Sequence, residues 1–319
     1  MTARRAGVDL THLDQPLFDG ADSTKQDLVD YLDTMHGRII PVLRDRPLSV
    51  MRIRPGQEPF MQKNLPKYAP EWIQTAQVWA DASRRTITYP LVNDRRTLLW
   101  FANQRAVEYH PALALVGHDR PTHLILDIDP PEGAGFGPVA GAAHLVRQAL
   151  ADLGLAGAVK TSGSKGVHIF VPLDGAATTF EVAAATRAIG ARAERLDPAL
   201  ATTAFILQDR AGKVFIDSTR AGGATVAAAY SPRIRPGVTV SCPVPWDDLA
   251  GVTPRDFTLH TVPRLLGDAD PWAQLMPPPQ HLSPELIEEG NAIPIARVQA
   301  MHEGKRRARA RRAAPTGDR

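Results

Sequence analysis

The segment Leu124-Ile125-Leu126-Asp127-Ile128-Asp129-Pro130 constrains this chain more than any other, because an apolar run ends in two carboxylates one residue apart. In a strand, residues two apart point to the same face, so Asp127 and Asp129 project together into one space. Two like charges held that close repel unless something neutralises them. A divalent cation such as magnesium or manganese is one answer, since hard ions take carboxylate oxygens. A strand end running into an acidic loop is the plainer alternative, and the pair alone leaves both open.

A chain of 319 residues is long enough for one large or two modest domains with a buried core. Its 44% apolar and 22% charged residues are those of an ordinary soluble globular protein. No apolar run reaches the ~18 residues needed to span a bilayer. Arg4 and Arg5 are followed by no apolar h-region, so a secretory signal is not expected. The single cysteine, Cys242, cannot form an intrachain disulfide and argues against a cysteine-ligated zinc site. A cytoplasmic protein without a membrane partner is the expectation.

The net charge of +3 is unevenly spread: from His302 onward seven basic and two acidic residues give +5, leaving −2 for the body. The run Lys305 to Arg312 reads as a disordered end that is either passive or a weak polyphosphate contact.

Strands and helices alternate without long parallel-type repetition, which favours an α+β fold with mixed or antiparallel sheets flanked by helices over a doubly wound one. Ser23 and Gln26 have capping-box spacing at the start of a helix carrying Leu28, Val29 and Leu32. Leu48 to Ile53 and Thr86 to Val92 read as strands, and Thr97 to Val107 as a helix. An alanine-rich helix is expected from Val139 to Leu153, stopped by Gly154, and another from Thr179 to Leu196. Lys160 to Pro172 reads as a glycine loop entering a strand, and Lys213 to Asp217 as a strand ending in a third carboxylate. A single catalytic module to about residue 285 is expected, with residues 286–319 forming a terminal helix and the basic tail.

Thr161-Ser162-Gly163-Ser164-Lys165-Gly166 precedes the strand Val167 to Val171. Its glycines would let backbone N–H groups turn toward an anion, with Lys165 adding charge. It is not a Walker loop, because a strand follows it instead of a helix, and a plain Ser/Gly turn is the alternative. His168 lies just inside that strand. Three carboxylates (Asp127, Asp129, Asp217), this loop and the later Arg220, Arg233 and Arg235 together suggest metal-dependent phosphoryl or nucleotidyl transfer. The constellation by itself does not separate a polymerase from a nuclease.

These three segments resemble the signatures of the archaeo-eukaryotic primase superfamily, and more narrowly the polymerase domain of bacterial DNA ligase D. The resemblance runs over roughly residues 10 to 285 and includes Arg46-Pro47-Leu48, Phe60-Met61-Gln62-Lys63, Thr88-Tyr89-Pro90, Glu108-Tyr109-His110-Pro111 and Tyr230 to Gly237. It implies a stand-alone primase-polymerase of gap filling or end joining that extends a primer 3′-end, favours ribonucleotides and works with two manganese or magnesium ions. Asp127 and Asp129 would bridge the ions, and Asp217 would help hold one. Ser162, Lys165, His168 and Arg233 would hold the triphosphate, with Arg220 and Arg235 beside them and His110 near the nucleotide sugar. Arg52 and Lys63 match positions near the active site, and Phe60 an aromatic that packs on template DNA. Of two lysines that grip a downstream 5′-phosphate, one matches Lys25, whereas the other falls at Gln15. Basic residues usual before the third signature are replaced around Leu207-Gln208-Asp209, and an asparagine after it by Ala221. The resemblance thus implies primer-template or gapped DNA and nucleoside triphosphates as partners, with separate ligase or end-binding proteins, in a nucleoid-associated setting. A metal-dependent nuclease and a catalytically weak DNA-binding repair module are the competing readings.

Overall fold

The computed structural model describes residues 2–80, 84–220 and 225–295. Ala221 and the basic tail lie outside these residues.

A hairpin of β1 (Ala3–Arg5) and β2 (Val8–Leu10) leads to helix α1 (Lys25–Leu43). The helix starts one residue later than the Ser23/Gln26 spacing predicts. Thr24 is the N-cap, its hydroxyl accepting from the Asp27 N–H and its own N–H donating to the Asp27 carboxylate at 2.7 Å. An acidic side chain there closes the box and also suits the positive end of the helix. Gln26 instead donates to Asp30 one turn on.

Next come β3 (Leu48–Arg52), β4 (Phe60–Gln62), the hairpin β5 (Thr75–Ala80) and β6 (Arg85–Pro90), helix α2 (Arg95–Asn103) and β7 (Ala106–Pro111). The helix predicted over Thr97 to Val107 therefore ends at Asn103. Arg105 takes a left-handed φ of +56°, and the chain returns as a strand paired antiparallel with β3. Ala106 and Val107 extend the helical apolar pattern in the sequence, and periodicity cannot tell a short buried strand from a last helical turn. This early helix end matters for the site. On β7, Glu108 and His110 lie opposite Met51 and Ser49 of β3 on one face, while Val107 and Tyr109 fill the core on the other.

The second half contains β8 (His123–Asp129), α3 (Gly137–Ala151), β9 (Ala158–Thr161), β10 (Val167–Pro172), α4 (Thr179–Leu196), β11 (Ala201–Thr202) and β12 (Val214–Asp217). These strands form one sheet in the order β11-β12-β8-β10-β9, antiparallel except for the β11–β12 pair. Helices α5 (Val262–Leu266), α6 (Pro271–Leu275) and α7 (Pro284–Ala292) follow. The last packs across α4 so closely that a Cβ on Gly290 would collide with the Ala184 carbonyl. The fold is α+β, with this five-stranded sheet, a three-stranded sheet in the order β4-β3-β7, the two hairpins and their flanking helices.

The five-stranded sheet separates two cores. Leu124, Leu126 and Ile128 of β8 join Ile216, Val167 and Ile169 under α3 and α4. Ile125 faces the opposite way, with Phe170 and Ala158, into the core built around α1, α2 and β7. Asp127 and Asp129 continue the Ile125 face beyond the point where that core ends. Each buried Leu, Ile or Val contributes roughly 1.5–3 kcal/mol, so a one-residue slip, which would drive both carboxylates under α3 and α4, is strongly disfavoured.

Candidate active site

The sheet register assembles one row of polar side chains across four strands. Asp217 of β12 pairs with Asp127 of β8, Asp127 with His168 of β10, and His168 with Lys160 of β9. Directly paired antiparallel residues share a face, so all four project the same way, with Asp129 two residues farther along β8. Asp127 and Asp217 are each 6% exposed. Burial and the charge of Asp129 push the Asp127 carboxyl above its ordinary range, against the pull of Arg220. Burial raises Asp129 as well, with Asp217 adding to it and Arg220 opposing.

The protein supplies one cation of its own. Arg220 Nε lies 3.0 Å from Asp127 Oδ2 and 3.1 Å from Asp217 Oδ2, bridging neighbouring strands. The second oxygen of Asp217 accepts from the Thr219 N–H and hydroxyl at 2.8 and 2.6 Å. Asp127 Oδ1 faces His168 Nε2 at 3.4 Å. Carboxylate oxygens converging from two strands suit hard divalent ions. Among the described residues no group of three or more His, Cys, Asp or Glu side chains is spaced to hold an ion as it stands, and the Arg220 guanidinium fills the place between Asp127 and Asp217.

The glycine loop joins β9 to β10 beside this row. Its glycines serve close approach. Gly163 has φ +67° and packs on Arg233 and Ser241, and a Cβ on Gly166 would collide with the Ile128 carbonyl. The N–H groups of Ser164 and Gly166 donate to Ser162 Oγ, both at 3.1 Å, where the sequence suggested that they face an anion. The loop is thus held by its own serine, and its charge comes from elsewhere. Lys165 is exposed, the Arg233 guanidinium donates to the Ser162 carbonyl, and Arg235 Nε donates to Ser164 Oγ at 3.0 Å.

Two residues that sequence reasoning gave no role organise this region. Glu108 is buried, accepts from His110 Nε2 and the Ile234 N–H, both at 2.9 Å, and forms an ion pair with Arg233 Nε at 3.1 Å. Burial would raise its carboxyl, but the His110 hydrogen bond, the Arg233 charge and the Ile234 N–H more than offset that and hold it at about 2. His110 Nδ1 is buried with no hydrogen-bond partner among the described residues. Lys160 is fully buried, with Nζ at 2.6 Å from His168 Nδ1, 2.8 Å from the Ala227 carbonyl and 2.6 Å from Ser241 Oγ. Burial, then the nearby Arg233, pulls its ammonium well below the ordinary lysine range, while Asp127 opposes this. A lysine between Val159 and Thr161 in a short apolar strand was the available signal, since an unexplained charge there needs a partner.

The remaining predicted residues form separate groups. Arg52 is buried on β3, donating to the Gln104 carbonyl at 2.8 Å and Gln62 Oε1 at 2.6 Å. Its guanidinium carbon and that of Arg54 lie 5.9 and 4.8 Å from the centre of the partly exposed Phe60 ring. Lys63, just past β4, lines a cleft of about 410 Å³ with Ser49, Tyr89 and Thr225. Lys25 sits at the start of α1 and is only 3% exposed, its ammonium donating to the Thr11 carbonyl and Asn103 Oδ1, both at 2.6 Å. Burial, with Arg105 nearby, lowers it to about 8. Gln15 accepts from the same Arg105 at 2.7 Å.

Comparison with known proteins bears on this geometry. The chain is 32% identical over 260 residues to the bifunctional non-homologous end joining protein LigD of Bacillus subtilis, covering 80% of this chain and 42% of that protein. It is 33% identical over 282 residues to the multifunctional non-homologous end joining DNA repair protein LigD of Mycobacterium tuberculosis, covering 84% of this chain and 37% of that protein. It therefore spans about two fifths of the length of these relatives. Among solved structures it is similar to the polymerase domain from Mycobacterium tuberculosis ligase D in complex with DNA, with a TM-score of 0.77 and 32% identity over 84% of this chain and 97% of that one. Residues 24–272 match the family described as LigD, primase-polymerase domain. The chain belongs to the LigD primase-polymerase domain family.

Proposed function

We propose that this protein is a template-directed nucleotidyltransferase that adds nucleotides, ribonucleotides preferentially, to a primer 3′-end during gap filling or end-joining repair. The observation that carries the reading is the pairing of Asp217 with Asp127 across β12 and β8, beside a loop braced by Arg233 and Arg235. Asp127, Asp129 and Asp217 would hold two manganese or magnesium ions in place of the Arg220 guanidinium. Ions bound there would lower the cost of ionising the primer hydroxyl and neutralise charge on the transferred phosphate.

The chain's own residues supply the rest. Arg233 and Arg235 carry charge to the Ser162–Lys165 loop, where Lys165 is free to reach phosphate oxygens, and Arg220, once off the carboxylates, adds a third guanidinium. His168 aims a ring nitrogen into the same space. The lone pair of His110 Nδ1 would accept from a sugar hydroxyl, because Nε2 is committed to Glu108. Phe60, between Arg52 and Arg54, offers a face for stacking on a template base, and Lys63 lines the neighbouring cleft. Lys25 would contribute one contact to a downstream 5′-phosphate. No described helix is long and apolar enough to cross a membrane. We place the protein in the bacterial cytoplasm, with separate ligase or end-binding proteins as partners.

A labelled primer-template incubated with ribonucleoside triphosphates and manganese tests this reading. Extension supports it, shortening of the primer indicates a nuclease, and a mobility shift without either indicates a DNA-binding repair module.

A further inference from the structure

The register that sets Asp127 opposite His168 also sets Ile125 opposite Phe170 on the same face of the sheet, farther from the carboxylate end. Both line a cavity of about 260 Å³, closed on other sides by Pro41 of α1, Val226 and Trp272 of α6. Its aromatic wall is an edge-to-face series, with the ring centres of His123 and Phe170 5.7 Å apart and those of Phe170 and Trp272 5.1 Å apart. Planar rings fit such a wall, because edges and faces of aromatic groups attract. An apolar cavity of about 150 Å³ holds benzene, so this one has room for a bicyclic ring with one substituent.

The polar part of the wall is out of charge balance. Arg46 donates to the Ala112 and Leu113 carbonyls at 3.2 and 2.7 Å and to Thr122 Oγ1 at 2.7 Å. Arg38 donates to the Gly267 carbonyl and contacts Met35 Sδ at 3.4 Å. These partners are all neutral, and neither arginine forms an ion pair among the described residues. Burial pulls Arg46 below its ordinary range, with no carboxylate to oppose it. Asp270 is the one carboxylate lining the cavity, and its Oδ1 accepts from the Tyr230 hydroxyl at 2.5 Å and the Ala273 N–H at 3.3 Å. His123 adds no charge at pH 7, since burial and then Arg46 hold its ring at about 3. Two guanidiniums and one carboxylate leave a net +1 around an apolar space. A desolvated cation without a counter-ion is costly, and one negative charge on a ligand would offset it.

We propose that this cavity is a binding site for a small aromatic monocarboxylate, with its ring among Ile125, Phe170 and Trp272 and its carboxylate toward Arg38 and Arg46. A single charge matches the excess in the wall, whereas a triphosphate would bring several into a space that is mostly apolar. Neither the three carboxylates nor Ser162 and Lys165 line the cavity, so the site is separate from the one proposed for nucleotide and stands or falls without it.

Isothermal titration calorimetry of the full-length chain, free of nucleotide and metal, tests this with naphthoate as the probe. Binding of one naphthoate per chain is expected. Naphthamide, of the same shape but neutral, should bind about ten- to a hundredfold more weakly, as for the loss of a charge-assisted contact. No binding of naphthoate, or equal binding of the two, overturns the proposal. So does displacement of naphthoate by ATP, which would assign the cavity to the nucleotide site. Ala229→Leu fills the cavity and should weaken naphthoate at least about tenfold, and full binding by a folded Ala229→Leu protein would place the ligand elsewhere. Arg38→Gln, at a half-buried position of α1, decides the matter if Ala229→Leu does not fold. It should weaken naphthoate about tenfold and leave naphthamide unchanged, while no loss, or the same loss for both, refutes the charge pairing.

Discussion

Replacing Glu108 with glutamine isolates the charge on which two hydrogen-bond donors and the Arg233 guanidinium converge. The side chain keeps its shape, but Arg233 loses its counter-ion, and an amide facing His110 Nε2 cannot satisfy both that ring and the Ile234 N–H as a carboxylate does. The wild-type carboxyl is held at about 2 from an ordinary value of 4.5. At about 1.4 kcal/mol per pH unit, that drop corresponds to roughly 3 kcal/mol favouring the ionised folded state. Little solvent screening applies, since Glu108 is 6% exposed. The sign follows from the depression: the contribution is complete above about 4.5 and is lost as pH falls toward about 2. Urea unfolding at pH 7 should therefore show Glu108→Gln less stable by roughly 3 kcal/mol, and near pH 3.5 the gap should narrow to about 2 kcal/mol. Equal stability at pH 7, or a gap that does not narrow in acid, refutes the assignment of Glu108 as the ionised centre of the Arg233–His110 cluster.

Three further outcomes follow from the packing. Gly166→Ala places a methyl against the Ile128 carbonyl, so urea unfolding should show a loss of at least about 1–3 kcal/mol and primer extension should fall, because Asp129 adjoins the disturbed strand. Phe60→Ala should weaken template binding by roughly 1–3 kcal/mol at one fixed salt concentration, with extension at saturating DNA retained. Gapped DNA with a downstream 5′-phosphate should bind less than about tenfold more tightly than the unphosphorylated form, since Lys25 stands without a lysine at Gln15, and Lys25→Met should erase the difference in a direct binding comparison.

Much of the fold and part of the site were legible along the chain. Helix α4 has both ends where the sequence puts them, and Thr178 and Glu181 close a capping box at its start. The apolar run into Asp127 and Asp129 does become a strand, and Asp217 ends another. What stayed hidden depends on register, which pairs residues far apart in sequence. Nothing local says that Asp217 falls opposite Asp127, that Arg220 bridges them, or that Lys160 falls opposite His168. Glu108 was concealed differently: the strand that orients it was read partly as helix, because Ala106 and Val107 continue the α2 pattern. The glycine loop was recognised as a loop, but its N–H groups turn in on Ser162 because a serine hydroxyl within the loop competes for them.

In the proposed function the Asp127–Asp129–Asp217 face would hold the ions that drive nucleotide addition. Single-turnover addition of one ribonucleotide to a primer-template, with manganese and saturating DNA, compares wild type with Asp127→Asn most directly. The substitution keeps the shape but removes the ligand charge and one of the two acceptor oxygens that face Arg220 and His168. A rate at least ~10²-fold lower is expected, with DNA affinity nearly unchanged. An Asp127→Asn protein that adds the nucleotide at close to the wild-type rate would contradict it.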